Sequence, residues 1–172
     1  MGNTLQAQAQ IDLLYYQGQL VEEDFKDIFL RTLHHFAPSY VDVVGASYHL
    51  NIAIRQLHFE TEAQLAKHHG MQDHWEGNLL LLARVRLGSS PLSLAYGNGL
   101  SYATERPTVE DETPGQRLLN YIVVETDLEL PQALRQLHLI FRTHHRSGVF
   151  GAYGCKNLCG SNFLATGLKV SF

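Results

Sequence analysis

The chain has 172 residues, 45% of them apolar and 17% charged, which is enough to fill one sizeable core as a single domain over 1–172. Seventeen acidic residues against thirteen Lys and Arg give a net charge of −4 with no basic cluster, which argues against a partner held by its phosphates, so no nucleic acid is expected. No stretch reaches the roughly 18 to 20 apolar residues of a membrane-spanning helix, and the start MGNTLQAQAQ lacks the basic flank and apolar run of a secretory leader. The expectation is a soluble, cytoplasmic protein with no membrane partner.

Residues 4–16, TLQAQAQIDLLYY, are helix-prone, and Gly18 interrupts them. In the next stretch Val21, Phe25, Ile28, Phe29, Leu33 and Phe36 follow one another at steps of 4, 3, 1, 4 and 3, an apolar stripe of a 3.6-residue helix. Glu22, Glu23 and Asp24 suit its first turn and Pro38 closes it, so 1–38 reads as an N-terminal helical hairpin. From Tyr48 the period changes to two: Tyr48, Leu50, Ile52 and Ile54 share one face of a strand. TEAQLAKHH (61–69) reads as a short helix stopped by Gly70. NLLLLARVRL (78–87) reads as a strand whose second face is also partly covered, since Leu80 and Leu82 lie on it.

LSLAYGNGLSYAT reads as a hairpin turning at Asn98-Gly99. The segment 104–117, with two prolines and the acidic run Glu110-Asp111-Glu112, is a loop. LLNYIVVETDLEL resumes as a strand, PQALRQLHLIFRTHH (131–145) as a helix with proline near its first turn, and GVFGAYG and FLATGLKVSF as strands. The order after residue 46 predicts an α+β fold over 46–172: a ferredoxin-like or related open-faced sandwich, mainly antiparallel, with helices on one face. The tail LATGLKVSF, alternating and ending in an aromatic, resembles the last strand of an outer-membrane barrel. The missing leader and the helical reading of the first fifth set that resemblance aside.

Ten histidines include three adjacent pairs, in LHHFAPS, KHHGMQD and THHRSGV. No two share a helix at the i, i+3 or i, i+4 spacing of a chelating pair. Each pair ends a predicted helix, where imidazole N–H groups can satisfy the last carbonyls, so C-terminal capping is the first explanation, ahead of metal binding or pH sensing. The densest constellation is HHGMQDHWEGN, with His68, His69, Asp73, His74 and Glu76 within nine residues. Cys155 and Cys159 stand as C-x₃-C and are expected reduced; with His68, His69 and His74 they form the candidate ligand set for zinc or iron.

CGSNF (159–163) is similar to the start of the papain-type CGSCW box, but Asn162 stands at the nucleophile position. No phosphate-binding glycine fingerprint and no G-x-S-x-G is present. The functional expectation is therefore a soluble regulatory or accessory domain, a homo-oligomer binding a small molecule or a protein. The alternative is a metal-dependent enzyme built on the His-rich loop at 68–76.

Overall fold

A computed structural model describes residues 10–30, 35–110, 115–134, 136–155 and 159–172. Eight strands form one closed barrel in which every strand pairs antiparallel with its neighbours in sequence, and the first pairs with the last. They are β1 (Ile11–Val21), β2 (Phe36–Ile54), β3 (Leu57–Gly70), β4 (His74–Arg86), β5 (Leu92–Ala103), β6 (Leu118–Glu129), β7 (Leu137–Ser147) and β8 (Gly160–Ser171). One helical turn, α1 (Phe25–Ile28), lies between β1 and β2, and short 3₁₀ turns precede and follow β7. The connections are unequal. At the end carrying both termini they span 55–56, 87–91 and 130–136; at the other they span 22–35, 71–73, 104–117 and 148–159.

The expected ferredoxin-like α+β sandwich is thus corrected to an all-β barrel. Helix-prone residues do not prevent strand formation when closure satisfies every backbone group across the ladder. In 61–69, Glu62, Gln64, Ala66 and His68 face the barrel interior while Ala63, Leu65, Lys67 and His69 face out. In 137–147, His138, Ile140, Arg142, His144 and Arg146 face in, and the predicted helix is β7. Residues 11–16 of the first predicted helix are β1. The second dissolves into the end of β1, the single turn α1 and the start of β2, with 31–34 outside the described residues. The expected hairpin at Asn98-Gly99 is continuous strand: a Cβ on Gly99 would collide with the Leu79 carbonyl oxygen, so this glycine permits close strand approach rather than a turn.

The interior is filled, as a barrel of eight strands requires. Apolar side chains pack in two larger clusters, one round Tyr16, Val41, Ile140 and Phe163, the other round Leu80, Leu82, Tyr121 and Val123, with a smaller one of Leu119 against Cys155 and Cys159. Between them and the termini lies an ion-pair lattice. Arg84 Nε donates to Glu60 Oε1 at 2.6 Å and Arg84 Nη2 to Glu125 Oε1 at 2.7 Å; Arg142 bridges Glu62 and Glu125, each at 3.0 Å; Lys169 pairs with Glu125 and Asp127. A buried charge is tolerable only when paired in this way.

Outward-facing positions are apolar along most of the wall. Leu13, Val44, Leu65, Leu79, Leu81, Leu94, Leu100, Phe141 and Leu168 are all exposed. Phe36, Tyr40, Trp75 and Tyr102 ring the end with the longer loops.

Candidate functional site on the barrel exterior

Strand periodicity splits the histidine pairs across the wall. His68 and His144 are buried inside, while His69 and His145 look outward. Helix capping is therefore corrected for these two pairs; of the third, His34 lies outside the described residues and His35 belongs to the loop before β2. His138 and His145, an odd number of residues apart, face opposite sides of β7.

Among the expected metal ligands, His68 and His74 come together inside the barrel, and Glu76 joins them. His69 does not: its Nε2 meets Asp42 Oδ2 at 3.0 Å on the outer surface and its ring stacks on Tyr40. Asp73 pairs with Lys67. Cys155 and Cys159 form a disulfide with each other, correcting the reduced state expected for them.

Polar side chains on the exterior gather near the loop end. Around Asp42 they satisfy one another, since Tyr15 Oη donates to Oδ1 at 3.0 Å and Gln17 Nε2 at 2.6 Å. The second group is different. His145 and Ser147 lie two residues apart on β7 and so share its outer face. The β7–β8 register sets Asn162 opposite His145 and Gly160 opposite Ser147; on the other side, Ile122 and Asn120 of β6 stand opposite the same two residues.

Each member is held from behind. Phe25 of α1 stacks on the His145 ring at 4.2 Å and 15°. Asn162 Nδ2 donates to the Glu23 carbonyl at 2.8 Å, which turns its Oδ1 toward the ring. His145 Nδ1 and Asn162 Oδ1 are both buried, neither bonded to any third group, and the register sets the two side chains opposite each other on the outer face. Ser147 Oγ accepts from the Val149 N–H at 3.2 Å, and the disulfide packs against Gly148, whose N–H donates to the Cys159 carbonyl at 2.7 Å. Val149 and Phe150 both take positive φ, and Phe150 is 93% exposed beside the serine. Below the site an outward groove of about 410 Å³ runs along the wall past Phe141, Leu164, Ala165, Gly18 and Phe36.

Sequence reasoning passed over this group because its serine belongs to no hydrolase motif. The available signal was alternation: in HHRS, His145 and Ser147 must share a face in any strand.

No known family and no curated protein matches the sequence. Among solved structures, the fold is similar to the outer membrane enzyme PagL, with a TM-score of 0.67 at 13% identity over 92% of this chain and 98% of that one. Neisserial surface protein A aligns at a TM-score of 0.45 and 16% identity, over 95% of this chain and 96% of that one. The expected soluble, cytoplasmic regulatory domain without a membrane is overturned: its fold is that of an outer membrane barrel, and its apolar side chains clothe the outside. No helix among the described residues is long and apolar enough to cross a membrane, which has no bearing on strands.

Proposed function

We propose that the protein is an outer-membrane β-barrel hydrolase that cleaves acyl esters of membrane lipids at its outer wall. The observation that carries this reading is the outward-facing Ser147–His145 pair, backed by Asn162, at the loop-end rim of an apolar belt. Eleven residues of β1 at ~3.3 Å each, tilted by ~40°, stand about 28 Å tall, matching the ~25 Å apolar band of such barrels. Short connections at the termini and longer ones opposite agree with a periplasmic and an external end. A solved outer membrane enzyme of the same fold supports an enzymatic role.

A reactive group on this surface meets molecules lying in the membrane interface, and the exterior groove beneath it is apolar enough for an acyl chain. Ser147 Oγ would attack the ester carbonyl while His145 accepts its proton. Asn162 Oδ1, receiving Nδ1–H, would hold the ring and steady the imidazolium. Collapse of the tetrahedral adduct breaks the C–O bond; the alcohol leaves with the proton from His145, and water then releases the fatty acid from the acyl-serine. Asn120, 8% exposed and opposite Ser147, is placed to donate to the developing oxyanion.

Fatty acid release from acyl-ester lipids in vesicles carrying the barrel, followed by mass spectrometry, tests this. Ser147→Ala and His145→Ala are each expected to lower the rate by about 10³-fold or more with folding intact. Release that persists in Ser147→Ala, or no release from any acyl-ester lipid, overturns it.

A further inference from the structure

We infer that His68, His74 and Glu76 form a divalent metal site of zinc type inside the loop end of the barrel, on the opposite side of the wall from Ser147 and independent of its chemistry. Local structure builds it. His68 and His74 are cross-strand partners flanking the three-residue connection 71–73, and Glu76, two residues on, shares the inner face with His74. One donor atom from each lies within 4.8 Å of the other two, and all three residues are buried. Tetrahedral ligands at 2.0–2.2 Å stand roughly 3.3 Å apart. His68 Nε2 and Glu76 Oε2, at 3.0 Å, are nearly there already, and His74 needs to turn out of its 4.3 Å stack on His68.

One unpaired buried atom points to the ligand, and a second lies beside it. His74 Nε2 is buried and has no hydrogen-bond partner, although His74 itself is only 4% exposed. Gln72 Oε1 is also buried and unpaired, while Gln72 Nε2 contacts His68 Nδ1 at 3.0 Å. Turning that amide over lets His68 Nδ1–H donate to Oε1 and leaves the Nε2 lone pair free for an ion. A cation would pair the orphaned His74 Nε2, and the turned amide would steady the His68 ring from its other nitrogen. The outer support is in place as well, because His144 Nε2 lies 2.9 Å from Glu76 Oε1 and fixes the carboxylate. Arg146, whose Nε is 3.7 Å from Glu76 Oε2, is the opposing charge at this site inside the barrel among the described residues, and it is engaged by Glu110 at 2.8 Å and by the Gln116 and Arg117 carbonyls. Two imidazoles and one carboxylate favour zinc or iron over calcium or magnesium.

The other close triad, Asp12, His49 and Glu60 at the opposite mouth, is less suited, because Arg84 occupies both Glu60 oxygens.

Untagged barrel, folded in detergent, is dialysed against zinc, freed of excess and analysed for bound metal; cobalt is substituted to read its visible absorption. About one equivalent of zinc and a tetrahedral cobalt spectrum are expected. His74→Asn should abolish both and His69→Asn neither. His74 Nε2 has no hydrogen-bond partner, so its replacement takes no partner from another group at that atom, and gel mobility with and without heating verifies folding. Less than about 0.1 equivalent of zinc, or undiminished binding in folded His74→Asn, overturns the inference.

Discussion

Replacing Leu79 by Arg tests the membrane reading at its most exposed point. Leu79 is 64% exposed on the outer face of β4, and its cross-strand partners Ala63 and Leu100 offer no counter-charge. At ~3.3 Å per residue and ~40° of tilt, each residue rises about 2.5 Å, so Leu79, five residues in from His74, lies about 13 Å below the loop-end rim. That is the middle of a ~25 Å apolar band, where an Arg costs about 2–4 kcal/mol. Tyr102, next to the end of β5 and 53% exposed, sits only about 2.5 Å from the rim, and Tyr102→Arg should cost about 0–1 kcal/mol. Equilibrium urea unfolding in phospholipid vesicles, read by the fluorescence of the sole tryptophan, Trp75, measures both. Equal costs at the two depths, or a cost below about 0.5 kcal/mol at Leu79, would refute the placement of this wall in a bilayer.

Two further outcomes follow from how the exterior site is supported. The Cys155–Cys159 disulfide closes a five-residue ring, worth about 2 kcal/mol in loop entropy, and it packs on Gly148 next to Ser147. Replacing both cysteines by Ser should speed proteolysis of the β7–β8 connection roughly tenfold or more while leaving barrel unfolding unchanged; equal cleavage rates would show that the bridge does not order this loop. The His35 backbone N–H, donating at 2.8 Å, and the His35 ring hold the Glu23 carboxyl below its usual value of 4.5. A depressed carboxyl stabilises the folded loop above pH 4.5 and loses that contribution as pH falls through its lowered value. The β1–β2 connection, whose Glu23 carbonyl anchors Asn162, should accordingly open in acid, and Glu23→Gln should open it at neutral pH. Hydrogen exchange across 22–30 that is the same in both proteins at pH 7 would contradict this.

Several local features are legible from residue order alone. The alternation of 48–54 falls within β2, that of 78–87, 118–130 and the tail falls in β4, β6 and β8 to within one residue, and 104–117 is indeed a connection between strands. Of the cluster at 68–76, His68, His74 and Glu76 come together, while His69 and Asp73 find other partners and the cysteines bond to each other. The helical reading of 20–36, 61–69 and 131–145 failed for one physical reason. A helix stripe presumes that apolar side chains point to the core, whereas this wall puts apolar groups outside and charged ones inside.

By itself, the sequence determined the period-two segments, the loop at 104–117 and the local ligand spacing, because each depends on neighbours within a few residues. Only the tertiary structure decided which face is inside. Arg142 is neutralised by Glu62, eighty positions away, and β1 closes on β8, so polar residues became interior through partners that no local pattern can supply. The same closure put His144 within the barrel and His145 on its outer wall, separating the interior hydrogen-bond network from the site proposed to act on lipid.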